Sequence, residues 1–451
     1  MTESATESVL IIGGGIAGIT AALNTAEYGY KVYLVDDTPS IGGLMARLDK
    51  TFPTNDCSIC IEAPKMYEVK SHENIEIVAN ADVRKVEAVD GHFKVRVLKR
   101  ARFIDEEVCN ACGKCVEKCP VTIPDELDAR IGGTRKLISV PFPQAVPNMN
   151  YVNVLCRTGK MRDKGACVGA CVVDCSQCRE CGVALCVKAC RDEGKGAIHL
   201  WQKDEWLDLE VKSIVVATGV AAAELEPGSF GLDVYPNVIN YMNFERLMNS
   251  GGPTLGEIVR PSDGKHAHNI AWIQCAGRGD KGLNYCSKVC CMVAAKQTII
   301  TKEHGPETEC TVFYNNQTCY GKGFDEFYKK ASALGVRYVI GKPFDVKEDP
   351  ETHDLILRYE DEVEGVIKEA RVDLLVLSSG LVPNDRNAKL AKVLKVGLDH
   401  NGFFQEIDPI NAPLDTQVPG VYLCGGATGP IDISESVVQA TAASMKAVSK
   451  R

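Results

Sequence analysis

No stretch of this 451-residue chain approaches the roughly 18–20 consecutive apolar residues that a membrane-spanning helix requires. The opening residues, Met1-Thr-Glu-Ser-Ala-Thr-Glu-Ser8, show no basic segment followed by an apolar one, so no secretory leader is expected. Positive charge is in deficit. The 51 Lys and Arg against 60 Asp and Glu leave −9, which provides no overall field to hold nucleic acid or anionic lipid. The eight histidines form neither a Ser/His/Asp pattern nor a His-x3-His pair, and hydrolase chemistry has no support. With 45% apolar and 25% charged residues, disordered, collagenous and fibrous classes are excluded, and the length suits two to four packed domains. These absences predict a cytoplasmic protein that does not bind nucleic acid.

Cysteine is the residue in excess. Twenty-one are present, and a secreted disulfide scaffold would be a short chain rather than one of this length, so metal or redox chemistry accounts for them better. Their distribution sharpens the point. Twelve fall between Cys109 and Cys190, four more are Cys275, Cys286, Cys290 and Cys291, and the rest are Cys57, Cys60, Cys310, Cys319 and Cys424.

At the start, Val9-Leu-Ile-Ile12 leads into Gly13-Gly-Gly15-Ile-Ala-Gly18 and an apolar helical stretch, and a second strand, Lys31-Val-Tyr-Leu-Val35, ends in Asp36. Strand, glycine turn, helix, strand and acid make a mononucleotide-binding unit. Gly13, Gly15 and Gly18 let backbone approach a pyrophosphate at a helix N-terminus, and Asp36 can accept from ribose hydroxyls. Later come Ser213-Ile-Val-Val-Ala-Thr218-Gly219 and Thr416-Gln-Val-Pro-Gly-Val-Tyr-Leu-Cys-Gly425-Gly426, which resemble the later FAD-contacting segments of the two-dinucleotide-domain flavoproteins. FAD is therefore expected. That family usually has Gly-Asp where this chain has Gly425-Gly426, and Asp432 is the candidate replacement carboxylate.

Cys109-x2-Cys112-x2-Cys115-x3-Cys119-Pro120 is the bacterial ferredoxin run, in which three thiolates wrap one [4Fe–4S] cube and the fourth points to another. Zinc is the competitor, but it favours two separated Cys-x2-Cys pairs. A looser second half, Cys178-x2-Cys181-x4-Cys186-x3-Cys190, has Arg191 where a proline is usual. With the ferredoxin crossover, Cys109, Cys112, Cys115 and Cys190 hold one cluster, and Cys119, Cys178, Cys181 and Cys186 the other. Cys156, Cys167, Cys171 and Cys175 compete for the same duty or fill a shielding loop. Cys57 and Cys60 form a lone Cys-x2-Cys, read equally as a dithiol/disulfide relay beside a flavin or as two ordinary cysteines. Cys310, Cys319 and Cys424 read as buried structural thiols.

Residues from about Asn269 to Ser379 alternate strand and helix again, where flavoproteins of this kind place an NAD(P)H domain. Gly277-Arg-Gly279-Asp-Lys-Gly282 matches a second fingerprint, yet Cys275 precedes it and Tyr285-Cys-Ser-Lys-Val-Cys-Cys291 follows. A helix predicted from about Leu283 to Ile300 would put Cys286 and Cys290 on one face with Cys291 beside them and Cys275 arriving from the strand.

These segments, with Pro39-Ser-Ile-Gly-Gly43, Thr51-Phe-Pro-Thr-Asn-Asp-Cys-Ser-Ile-Cys60, Pro64-Lys-Met66, Pro143-Gln-Ala-Val-Pro147, Tyr320-Gly-Lys-Gly323 and Gly429-Pro-Ile-Asp-Ile-Ser-Glu-Ser436, resemble the heterodisulfide reductase A-subunit family over nearly the whole chain. That family includes the A subunit of the quinone-interacting membrane-bound oxidoreductase. The resemblance implies an α/β, disulfide-reductase-like flavoprotein with two dinucleotide-binding domains and an inserted α+β ferredoxin-like domain. FAD would lie in the first domain (1–100, 205–250 and 381–451), two [4Fe–4S] clusters in the insert (101–204), and a third at Cys275, Cys286, Cys290 and Cys291 in the Rossmann-like region 251–380. It also implies partners of the B and C type or the quinone-linked type, a membrane partner that would bring the chain to the inner face of the membrane, and a homodimer of the flavoprotein core. The expected activity is two-electron/one-electron conversion within an oxidoreductase complex. The alternatives are a self-contained NAD(P)H-dependent reductase and, in third place, a regulatory redox sensor. Full-length members of the family often add an N-terminal cluster region and a C-terminal ferredoxin domain, whereas here the nucleotide motif comes at once.

Overall fold

The apolar run Ser8–Ile12 is buried at every position, as a strand covered on both faces must be. In the computed structural model, which describes residues 7–125, 127–152, 185–199, 202–279 and 282–449, it is the centre of a five-stranded parallel sheet. The order is Val421–Leu423, Ser213–Val216, Ser8–Ile12, Lys31–Val35 and Ile75–Val78. Val9 pairs with Val32 on one side and Ser213 on the other. The helices Ile16–Glu27 and Ile433–Ser449 cover one face, and their small residues Ala17, Ala22, Ala26, Ala440, Ala443 and Ala447 share one core with Val9 and Ile11. A three-stranded antiparallel sheet, Ala81–Val89, His92–Lys99 and Glu205–Val211, caps the domain. Its pairing of Lys99 with Glu205 brings the chain back to the residue where it departs, so the insert hangs from one strand pair.

The second domain repeats this plan. Its parallel sheet runs Val238–Asn240, Leu374–Leu377, Asn269–Ile273, Glu309–Tyr314 and Arg337–Ile340, again with a three-stranded antiparallel sheet, Asp345–Glu348, Leu355–Asp361 and Val366–Val372. Val238 pairs with Leu375, so the strand Val238–Asn240 and the following helix Tyr241–Met248 belong with the second sheet rather than with the first-domain range 205–250. Propensity alone does not reveal this, because a strand's allegiance is set by its distant pairing partner.

In the insert, the short helix Lys114–Lys118 faces the helix Leu185–Asp192, and Cys115, Cys119, Cys186 and Cys190 share a core with Ile104, Leu137, Ile138, Val152 and Ile198. After the helix Leu185–Asp192, one antiparallel bridge joins Ile198 to Ile104. Among the described residues no helix is long and apolar enough to cross a membrane.

Candidate functional site

A cleft of about 870 Å³ opens at the C-terminal edge of the first sheet, within the range of cofactor sites. Open parallel sheets bind ligands at that edge. Gly13, Gly15, Asp36, Gly43, Thr218, Gly219 and Asp432 all line it. Gly18 and Gly425 do not. A Cβ on Gly18 would stand 1.7 Å from the Gly13 carbonyl oxygen, so this glycine serves close packing of helix on turn, while at Gly15 the nearest described atom is the Gly43 Cα at 3.8 Å. The Gly15 backbone is thus bare on the cleft side, as close approach of a pyrophosphate requires. At the Gly425-Gly426 pair it is Gly426 that faces the cleft.

Asp36 accepts from the Gly14 N–H at 2.6 Å and from Thr38, which orients its carboxylate at the strand end. Asp432 accepts from the Glu435 N–H at 2.8 Å while Glu435 returns a bond to the Asp432 N–H at 3.2 Å, a reciprocal cap on the helix Ile433–Ser449. Arg47, Arg100, Arg130, Arg246 and Arg386 also line the cleft, the last four of them paired with carboxylates. One part of the wall has no local sequence signal. Leu127, Ala129 and Arg130 come from the insert, which is docked by Arg246 on Asp128 at 2.8 and 3.1 Å, a pair separated by 118 positions.

In the insert, Cys109, Cys112, Cys115 and Cys190 line one small cavity. Asn150 Nδ2 donates to Cys115 Sγ at 3.4 Å and the Ala197 N–H donates to Cys190 Sγ at 3.2 Å. Burial, followed by the neighbouring thiols Cys109, Cys190, Cys186 and Cys112, pushes the Cys115 thiol up to about 12. Cys119 and Cys186 are buried nearby. Cys156, Cys167, Cys171, Cys175, Cys178 and Cys181 lie outside the described residues.

The second thiol group departs from the predicted helix. The helix runs Cys290–His304, so Cys286 is not on it. The preceding loop folds out because Ser287 Oγ accepts from the Leu381 N–H at 2.8 Å, Tyr285 OH donates to the Leu381 carbonyl at 2.9 Å, and Lys288 is left-handed at φ 64°. The four thiols still interact. Burial, then Cys291, Cys275 and Cys286, pushes Cys290 up to about 12, against a hydrogen bond from Ser287. Cys291 rises to about 11 by burial, opposed by the Thr318 N–H at 3.4 Å. Cys290 and Cys291, which burial above all keeps from ionising, would bind as thiolates beside an inorganic cation cluster, whose charge offsets that cost. Among the described residues no three of His, Cys, Asp or Glu converge as ligands of a single ion do.

Cys57 and Cys60 are joined as a disulfide at the start of the helix Ser58–Ser71, outside the cleft lining. Glu62 of that helix is fully buried with both carboxylate oxygens unpartnered among the described residues, and burial holds its carboxyl well above the usual range. Cys310 and Cys424 are buried thiols raised to about 12, by burial above all. Cys319 is only partly buried and sits near Cys291.

Comparison with known proteins matches three family models: FAD dependent oxidoreductase over residues 8–56, 4Fe-4S binding domain over 102–123, and pyridine nucleotide-disulphide oxidoreductase over 186–447. The chain is 45% identical over 441 residues to the iron-sulfur A subunit of the CoB–CoM heterodisulfide reductase of Methanocaldococcus jannaschii, covering 97% of this chain and 63% of that protein. It is 41% identical to the A subunit of the H(2):CoB-CoM heterodisulfide,ferredoxin reductase of Methanothermobacter thermautotrophicus, covering 98% of this chain and 64% of that protein. It thus spans less than two thirds of the length of these relatives. The thioredoxin reductase of Lactococcus lactis shares the fold with TM-score 0.50 at 14% identity, covering 98% of this chain and 97% of that one. The fold is an α/β flavoprotein with a ferredoxin-like insert, and the chain belongs to the pyridine nucleotide-disulphide oxidoreductase family, among the members that resemble the heterodisulfide reductase A subunit.

Proposed function

We propose that the chain is the electron-transfer subunit of a heterodisulfide reductase-like oxidoreductase complex, with FAD in the first-domain cleft and [4Fe–4S] clusters in the insert and the second domain. The observation that carries this reading is that the two thiol-bearing segments are both joined to elements that wall one glycine-floored cleft. The insert carrying Cys109, Cys112, Cys115 and Cys190 supplies part of the cleft wall. From the other side, the loop carrying Cys286 is bonded to the helix whose first turn lines the same cleft. When bound, flavin exchanges two electrons together and a [4Fe–4S] cluster passes one at a time.

In this reading Gly13, Gly15, Gly43, Thr218, Gly219 and the arginines cradle the dinucleotide, and Asp36 orients its ribose. Asp432, which lines the cleft as Gly426 does, takes the part of the missing acid of the Gly-Asp pattern. Cys109, Cys112, Cys115 and Cys190 hold one cluster, and Cys275, Cys286, Cys290 and Cys291 another. Cys119 and Cys186 complete a third with Cys178 and Cys181. The N–H···S bonds to Cys115, Cys190, Cys286 and Cys291 tune these sulfurs. The partners are B- and C-type or quinone-linked subunits, and the chain works in the cytoplasm, reaching a membrane only through such a partner. The self-contained NAD(P)H reading loses its support. A nicotinamide dinucleotide needs a helix N-terminus at the Gly277–Gly282 turn, and the helix starts only at Cys290.

Anaerobic purification followed by flavin extraction and iron and sulfide analysis tests the assignment. About one FAD and about twelve iron atoms per chain are expected from three four-iron clusters. Cys290→Ala should lose about a third of the iron and keep the flavin. Zinc in place of iron, or no flavin, refutes the reading. Co-purification with a haem-bearing membrane protein would select the quinone-linked partner.

A further inference from the structure

Three of the motifs that mark this chain lie far apart in sequence: Tyr285–Cys291, Tyr320–Gly323 and Gly429–Ser436. In the fold they meet at one side chain. Glu435 Oε1 accepts from Tyr320 OH at 2.8 Å and from Lys288 Nζ at 3.2 Å, while its Oε2 takes the Asp432 N–H at 3.2 Å. The Lys288 ammonium also lies over the Tyr320 ring, 5.1 Å from its centroid, and Tyr320 packs edge-on against Phe324 at 6.4 Å.

Each bond has a separate consequence. The Asp432 contact closes the capping box of the helix Ile433–Ser449, whose first turn, with Ile431, Asp432, Ile433 and Ser436, forms cleft wall. The Lys288 contact fixes a residue in a left-handed conformation that a lysine rarely adopts, and the Lys288 N–H donates to Cys286 Sγ at 3.3 Å. The Tyr320 contact fixes the loop whose Thr318 N–H donates to Cys291 Sγ at 3.4 Å. Burial alone would raise the Glu435 carboxyl, but Tyr320, the Asp432 N–H and Lys288 together bring it below the usual range, so it is a carboxylate that accepts from all three.

We propose that Glu435, Tyr320 and Lys288 form a latch that holds the Cys286–Cys291 loop against the flavin cleft and so fixes the separation between the iron–sulfur site and the flavin. These are positioning residues, since none of them lines the cleft. The proposal rests on the cofactor assignment above, and its test separates the two.

The full chain and its Glu435→Gln, Tyr320→Phe, Lys288→Met and Lys288→Arg variants would be compared anaerobically by two measurements. The first is hydrogen–deuterium exchange of the peptide spanning 283–291, which reads the latch whether or not cofactors are loaded. Glu435→Gln and Lys288→Met should speed it about tenfold, the effect of losing one charge-assisted bond, while Lys288→Arg stays near wild type. The second is the rate at which electrons delivered photochemically to the flavin appear on iron, followed by absorbance. It should fall in Glu435→Gln and Lys288→Met with flavin and iron contents unchanged. Unchanged exchange in every variant overturns the latch. Faster exchange with an unchanged transfer rate overturns its role in fixing the separation. A wild-type chain without flavin or iron refutes the cofactor assignment instead, leaving the exchange result to judge the latch.

Discussion

The first and second domains use the same five-strand plan and nearly the same glycine turn, yet one ends in an open cleft and the other in a knot of thiols. At Gly18 an added Cβ would meet the Gly13 carbonyl oxygen at 1.7 Å, and at Gly282 it would meet the Gly277 carbonyl oxygen at 2.2 Å. In both, the last glycine therefore packs against the carbonyl of the first. The divergence comes just after them. In the first domain the helix begins at Ile16, directly behind Gly15, and its free N–H groups face the cleft. In the second the chain wanders through Tyr285, Ser287 and Lys288 before the helix at Cys290, so the turn keeps its packing and loses its dipole. Duplicated scaffolds acquire different chemistry by moving a helix start.

The seam between the two domains offers the largest test. Lys296 Nζ lies 2.7 Å from Glu245 Oε1 with both side chains at most 1% exposed, and it also donates to the Lys50 carbonyl, tying the second domain's helices to a first-domain loop. Lys296→Met should cost about 3–5 kcal/mol, because a buried carboxylate is left without its cation. Adding Glu245→Leu should recover most of that loss, measured as the midpoint of thermal or urea unfolding. A single variant as stable as wild type would mean that the domains are joined some other way.

Smaller effects separate packing glycines from cradle glycines. Gly18→Ala and Gly282→Ala should each destabilise by about 1–3 kcal/mol, since backbone must give way in both turns. Gly15→Ala should leave stability nearly intact and weaken flavin retention, because its Cβ meets only the Gly43 Cα at 3.8 Å and projects into the cleft. Flavin content and unfolding midpoint, measured on all three, decide it. Loss of flavin in Gly282→Ala alone would break the equivalence drawn between the turns.

How much of the fold and site is legible in the sequence follows from the range of each interaction. The parallel strands and the first glycine turn are local, and each appears in the fold where the pattern places it. The helix start near Leu283 is a false signal, because Val289, Met292 and Val293 keep a helical period while the bonds from Ser287 and Tyr285 reach residue 381, some 95 positions away. The same holds for the allegiance of Val238–Asn240 and for the insert residues Leu127–Arg130 in the cleft wall. The carriers there are Leu375 and Arg246, which a window of neighbouring residues does not contain.

The smallest expected effect lies beside the seam, at Asp49, whose backbone N–H donates to Glu245 Oε2 at 3.0 Å. Burial, with the Glu245 carboxylate next in weight, raises its carboxyl to about 6 from the ordinary 3.8. Because the folded value lies above the unfolded one, the folded state binds this proton more tightly. Asp49 therefore contributes fully below about pH 4, and the contribution is lost as pH rises through about 6. At pH 8 the wild type carries the whole cost of the charge, reduced to roughly 1 kcal/mol by partial exposure. Asp49→Asn should then be more stable than wild type at pH 8, with the gap closing as pH falls towards 4. Unfolding midpoints of both proteins across that window measure it. A gap that is constant with pH would assign the gain to shape rather than charge, and would place the electrostatic strain of the seam elsewhere than in this loop.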